Sequence, residues 1–226
     1  MRLVTWNCCR GSAAGKLSLL TPLQASISVV QECSRPTEDS PSCFWFGDNP
    51  RQGMAILSSP EYRVQPIRPR AVPRYTLPFQ VTGPRSFLLL AVWSQRDPEH
   101  PYVRAVIRAV EVYRDLIATQ PTVLVGDFNS NAIWNRKRPG ARDHGALVTM
   151  LSQLGLVSAY HHFHGEVQGL ETRPTLYLRW NQGLPYHVDY CFIPEAWAAH
   201  VRSVAVGGYS EWAKASDHRP VVVDLV

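Results

Sequence analysis

Residues 121–131 read Pro-Thr-Val-Leu-Val-Gly-Asp-Phe-Asn-Ser-Asn. Val123, Leu124 and Val125 form a short apolar run, closed by a glycine and an acid, which is the pattern of a buried strand running into a loop. A helix pattern lies on either side. Upstream, "HPYVRAVIRAVEVYRDLIAT" places Val103, Val106, Ile107, Val110 and Ile117 at helical spacing, with Pro101 suited to the first turn. Downstream, "HGALVTMLSQLGL" predicts a second helix with Gly155 as its stop.

Further out, strands dominate. "RLVTWNC", "ISVVQE", "CFWFG", "GMAILSS" and "SFLLLAVWS" precede the first long helix. "TRPTLYLRW", "YHVDYCFIP", "VRSVAVGGY" and "RPVVVDLV" follow the second. "KLSLLTPLQ" is a short helix candidate that Pro22 interrupts or restarts, and the proline-rich stretch around residues 62–81 reads as edge strands and loop. "HHFHGE" at 161–166 reads as loop, with metal binding the lesser reading. Many strands with few helices between them imply two packed sheets with helices outside. No repeat or domain boundary shows, so residues 1–226 are expected to form one domain.

Composition narrows the class. The chain of 226 residues is 45% hydrophobic and 18% charged, ordinary for a globular protein. Its net charge of +5 suits a polyanionic partner without requiring one. Five cysteines, an odd number, imply reduced thiols and a cytoplasmic protein. The opening "MRLVTWNCCRG" is too short for a signal sequence, and no later run suggests a membrane partner. Nothing points to an obligate protein partner.

Polar residues collect at strand ends: Asn7, Glu32, Asp127, Asn129, Asp189, Asp217 and His218. Taken singly, each has a plain explanation. Gly-Asp-Phe-Asn fits an Asx turn, Ser-Asp-His a turn, and Asp189 a satisfied core acid. Taken together, five short motifs in order at strand ends describe a site. Buried acids are rare unless paired or bound to metal.

The set "TWNCCRG", "VVQE", "LVGDFNSN", "YHVDYCFIP" and "SDHRPVVVDL" resembles the endonuclease/exonuclease/phosphatase superfamily, which spans exonuclease III, abasic-site endonucleases, deoxyribonuclease I, inositol-phosphate 5-phosphatases and neutral sphingomyelinases. "SNAIWN" and "SAYHHFHGE" look similar to a bacterial branch of it. The resemblance spans residues 2–225 and implies a four-layer α/β sandwich, two mixed β-sheets face to face with helices outside. It implies a magnesium or manganese cofactor held by Glu32, Asn7 and Asp217. By the same resemblance, Asp127 would be the base for an attacking water. Asn129 would bond the phosphoryl group, and His218 would sit on it as an imidazolium fixed by Asp189. The chain departs from the pattern at Trp93-Ser94, where many members carry a histidine.

Substrate-binding candidates are Tyr102, Trp134, Arg136, Arg138 and His187. The loop "AIWNRKRPGARDHG" sets Trp134 among Arg136, Lys137, Arg138 and Arg142, a combination suited to a flipped or single-stranded nucleotide. The expected activity is metal-assisted hydrolysis of phosphodiesters in nucleic acid, with DNA favoured, as an endonuclease, 3′-exonuclease or end-processing enzyme. The alternatives are a phosphatase or phosphodiesterase for a small or lipid-linked phosphate, and an inactive nucleic-acid-binding scaffold.

Overall fold

The computed structural model describes residues 1–37, 40–68, 74–137, 140 and 142–226. Arg138 lies outside the described residues. In chain order the strands are β1 (Arg2–Asn7), β2 (Ile27–Cys33), β3 (Cys43–Asn49), β4 (Gln52–Ser58), β5 (Arg63–Pro66), β6 (Thr76–Thr82), β7 (Phe87–Trp93), β8 (Thr122–Asp127), β9 (Leu156–Ser158), β10 (Leu176–Tyr177), β11 (Pro185–Tyr186), β12 (Asp189–Pro194), β13 (Val201–Val206) and β14 (Val221–Leu225). The helices are α1 (Ala13–Ser18), α2 (Val103–Val112), α3 (Arg114–Thr119), α4 (His144–Gln153), α5 (Ala159–His164) and α6 (Tyr209–Trp212).

Two six-stranded sheets form, in the orders β13-β14-β1-β2-β4-β3 and β5-β6-β7-β8-β12-β9, with β10 and β11 as a separate ribbon. Both sheets are mixed, since β1 runs parallel to β2 and β7 parallel to β8 while the other pairs are antiparallel. Side chains alternate faces along a strand, and this sorts each apolar run into two layers. On β7, Phe87, Leu89, Ala91 and Trp93 enter the core between the sheets, where they meet Leu3, Val29 and Met54. Leu88, Leu90 and Val92 face the other way, against Val106 and Val110 of α2 and Leu147 and Leu151 of α4. Behind the first sheet, Val4, Trp6 and Val30 pack under Ala13, Leu20 and Trp212. Helix, sheet, sheet and helix therefore stack as four layers. Burial of each large apolar side chain contributes roughly 1.5–3 kcal/mol.

Several elements differ from expectation. The long helix departs from helical geometry at the fully buried Tyr113 (φ −94°, ψ 8°). Its bond ladder nevertheless continues, Tyr113 N donating to Ala109 O and Ile117 N to Tyr113 O, both at 2.9 Å. Pro101 stands ahead of the helix rather than in its first turn. "TRPTLYLRW" contributes only Leu176–Tyr177 as strand, because Arg179 and Trp180 adopt left-handed φ values of 55° and 60°. Residues read as the loop "HHFHGE" belong largely to α5, which Ser158 caps at its start and the left-handed Gly165 ends.

Gly126 has a specific purpose. Its φ is 151°, and a Cβ there would overlap the Val92 carbonyl on β7. Glycine lets the end of β8 lie against β7 just before Asp127. Gly126→Ala is expected to destabilise the fold by roughly 2–4 kcal/mol, read as a lowered denaturant midpoint. An unchanged midpoint would contradict this account of the turn.

Candidate active site

Strand alternation delivers the site. Leu3, Thr5 and Asn7 share one face of β1, Val123, Val125 and Asp127 one face of β8, and Asp189, Cys191 and Ile193 one face of β12. In each row the apolar members lie in the core between the sheets. The polar member stands at the row's end, so three strands place Asn7, Asp127 and Asp189 at one rim of the sandwich. Because β12 runs antiparallel to β8, its first residue, Asp189, pairs with the last residue of β8, Asp127.

Asp127 is fully buried and fully bonded. Its Oδ1 accepts from Asn129 N at 2.8 Å, and its Oδ2 accepts from Asn7 Nδ2 at 3.0 Å and Asn129 Nδ2 at 2.9 Å. Burial, reinforced by the nearby Asp189 charge, pushes its carboxyl up to about 7, while His218, Asn7 and Asn129 pull the other way. Asn129 holds a left-handed φ of 44° and also donates through Nδ2 to Ser94 O at 2.9 Å. Both its amide hydrogens are thus committed to Ser94 and Asp127. Without substrate, Asn129 thus orients Asp127.

His218 Nδ1 donates to Asp189 Oδ2 at 2.9 Å, and both residues are buried. Burial alone would lower the imidazole. The Asp189 charge and bond, with Asp127 and Asp217, outweigh it and raise the pKa to about 10. Ser216 secures the loop, its Oγ donating to Asn7 O at 2.7 Å and accepting from His218 N at 3.0 Å.

Glu32 sits at a bulge in β2, where the register against β4 shifts between Gln31 and Cys33 and its own φ is 57°. The bulge turns its carboxylate to the rim. Among the described residues it meets only long contacts there, Asn7 Nδ2 at 3.4 Å and an Arg10 guanidinium at 3.6 Å. Asp217 adjoins Cys9, whose thiol is pushed up to about 12 by burial and by the charges of Asp217 and Glu32. Glu32 and Asp217 both act on Cys9, and the Asn7 amide oxygen accepts from Cys9 N at 3.0 Å; all three offer hard oxygens, the donor type that suits magnesium or manganese. Asp127, Asp189 and His218 also each offer a ligand atom within 4.8 Å of the others, with His218 Nδ1 and Asp189 Oδ2 bonded to each other.

Tyr102, Trp134 and Arg136 line one cavity of about 630 Å³ beside Asn129. His187 does not join them. It is 3% exposed, its Nδ1 donates to Arg173 O at 2.8 Å, and its ring packs on Tyr160 and Tyr190. His187 is thus buried away from the cavity that takes the other candidates. The alternation that would aim it alongside Asp189 is broken between β11 and β12. The histidines of α5 diverge, His161 Nε2 donating to Glu171 and His164 Nε2 to Val204 O.

Sequence reading missed Asn131. Buried in the core, its Nδ2 reaches Glu171 Oε2 (3.0 Å), His187 O (2.8 Å) and Tyr190 Oη (3.1 Å). The second asparagine of "GDFNSN" was the available signal. Around this core, burial lowers His144 and His187 to about 4, so both stay neutral in the folded protein. Their stabilisation is full above the unfolded value near 6.5 and is lost as pH falls through about 4, each unit being about 1.4 kcal/mol. The urea midpoint should therefore fall between pH 6.5 and 4, less steeply in His187→Gln. Equal slopes would contradict the assignment. All five cysteines are free, and no helix among the described residues is long and apolar enough to cross a membrane.

A sequence model of the Endonuclease/Exonuclease/phosphatase family matches residues 4–218. No curated protein sequence matches the chain. Among solved structures, a 3′ phosphatase from Neisseria bound to a product DNA hairpin is 20% identical, with TM-score 0.73, covering 100% of this chain and 99% of its own. The endonuclease domain of TRAS1, a telomere-specific non-LTR retrotransposon, is 18% identical with TM-score 0.70, covering 99% and 97%. An AP endonuclease from Archaeoglobus fulgidus is 17% identical with TM-score 0.68, covering 100% and 99%. At these identities the likeness is one of fold.

Proposed function

The chain belongs to the endonuclease/exonuclease/phosphatase family, and from that premise we propose that it is a divalent-metal-dependent phosphodiesterase acting on nucleic acid, DNA foremost. The observation that carries this reading is geometric: one rim of the sandwich gathers a buried carboxylate, Asp127, bonded by Asn7 at 3.0 Å, and a buried imidazole, His218, bonded to Asp189 at 2.9 Å.

Asp127 accepts the proton of the attacking water, held in aim by Asn7 and Asn129. His218, charged and fixed through Nδ1, turns Nε2 to the phosphoryl oxygens and stabilises the charge that grows there. Asp189 keeps His218 cationic and sets its ring angle. Glu32, Asn7 and Asp217 would hold the metal. When bound, magnesium or manganese would neutralise phosphoryl charge and lower the pKa of a water. The net charge of +5 supports a polyanionic substrate, and the Neisseria enzyme with its DNA hairpin supports a strand end among the substrates.

The test is an end-labelled panel with magnesium and with manganese: single-stranded DNA, duplex, duplex with an abasic site, a 3′-phosphate end, and RNA. Cleavage of a DNA member is expected, and the ladder separates internal from terminal cutting. Silence across the panel, with hydrolysis of bis-p-nitrophenyl phosphate, would overturn the nucleic-acid reading in favour of a small phosphodiester.

A further inference from the structure

The cavity beside Asn129 has features that the hydrolytic step does not use. Its volume of about 630 Å³ lies within the roughly 300–1,000 Å³ range of sites that enclose small organic ligands. Two aromatic rings stand at it half exposed, Tyr102 at 42% and Trp134 at 49%.

Trp134 is held through its ring and Tyr102 through its backbone. Trp134 closes the short helical turn Ala132–Trp134, whose Ile133 N donates to Asn131 Oδ1 at 2.9 Å. Asn131 is anchored in the core by Glu171 and Tyr190. One face of Trp134 rests on Tyr186, with ring centroids 5.2 Å apart. Tyr102 adopts φ 52° and ψ −125°, and its N donates to Gln95 O at 2.8 Å. A non-glycine residue so placed costs roughly 1–3 kcal/mol and persists only where its surroundings impose it. The Trp134 ring and the Tyr102 backbone are thus set before any ligand arrives.

Charge surrounds them. Arg104, Arg136 and Arg142 line the same cavity. Arg142 is paired with Glu111 at 2.5 Å, whereas Arg104 and Arg136 make no ion pair among the described residues. His144, 2% exposed and with Nδ1 unpartnered, belongs to the same wall. Exposed aromatic rings stack on a base, and guanidiniums without an ion pair bind phosphate in a fork.

We propose that this cavity binds one unstacked nucleotide of the substrate strand, next to the scissile phosphate, with its base on Trp134 and Tyr102 and its outer phosphate at Arg104 and Arg136. The inference deepens the nucleic-acid reading and rests on it for the identity of the strand. It makes this pocket, rather than a long basic track, the feature that grips substrate.

The test is calorimetric titration in chelator, so that no metal contributes, using thymidine 3′,5′-bisphosphate, thymidine and inorganic phosphate. The bisphosphate should bind more tightly than either fragment. Trp134→Ala and Arg136→Ala should each weaken it about tenfold or more without changing the melting temperature. Arg202→Ala, which removes the same charge from exposed β13, should leave binding unchanged. Wild-type binding in both pocket variants, or equal weakening by Arg202→Ala, would overturn the proposal. Two results separate the readings. Bisphosphate binding of the expected pattern in a protein that cuts no nucleic acid would uphold the pocket and refute the nuclease. DNA cleavage with unchanged KM in both pocket variants would uphold the nuclease and refute the pocket.

Discussion

Asp127→Asn is expected to lower the single-turnover rate at least about a hundredfold, equivalent to about 2.7 kcal/mol of barrier. The asparagine keeps the shape and loses the proton acceptor. Its amide also fits poorly. If its oxygen faces Asn129 N, its NH₂ meets the donors of Asn7 and Asn129. If it flips, the NH₂ meets Asn129 N. The misfit costs about 1–3 kcal/mol, offset by removal of a buried like charge beside Asp189. The melting temperature should therefore move little while the rate collapses. In the wild type the base must be ionised, so the rate should climb as pH rises through about 7. Asp127→Asn should lack that limb. A wild-type rate in the variant would remove Asp127 from the chemistry.

His218→Ala should cost a comparable factor, because it removes the donor aimed at the developing charge. Asp189→Asn is the more informative neighbour. Burial lowers His218 and the Asp189 charge more than reverses this, so neutralising Asp189 leaves burial in control. The alkaline limb of the pH–rate profile should then move down from near 10 by more than a unit, together with a loss of rate at neutral pH. The same sign governs stability. The raised pKa stabilises the fold fully below the unfolded value near 6.5, and that contribution is lost as pH climbs through about 10. An unmoved alkaline limb in Asp189→Asn would mean that Asp189 is structural.

The strand ends were legible because alternation is local. Val123, Val125 and Asp127 follow a period of two in the sequence itself, and so do Leu3, Thr5 and Asn7. That the rows converge is not local. It depends on the pairing of Asp189 with Asp127 and on the packing of one sheet over the other, which bonds Asn7 to Asp127 across a separation of 120 residues. His187 lies apart from the cavity for the same reason, since alternation predicts a direction only while the strand continues. The bulge at Glu32 and the left-handed Asn129 were invisible, as neither residue type announces such a backbone. Short α5 and α6 escaped because one or two turns leave no periodic signal. Asn131 escaped because its partners, Glu171 and Tyr190, come together only in the fold.

The measurement that bears most directly on the account is cleavage of one end-labelled DNA strand, at enzyme excess, by wild type and Asp127→Asn side by side, in magnesium and then in chelator. The account predicts cleavage by wild type in magnesium, loss of that cleavage in chelator, and at least about a hundredfold less from the variant. Equal rates from the two proteins, or a wild-type rate indifferent to chelator, would contradict it.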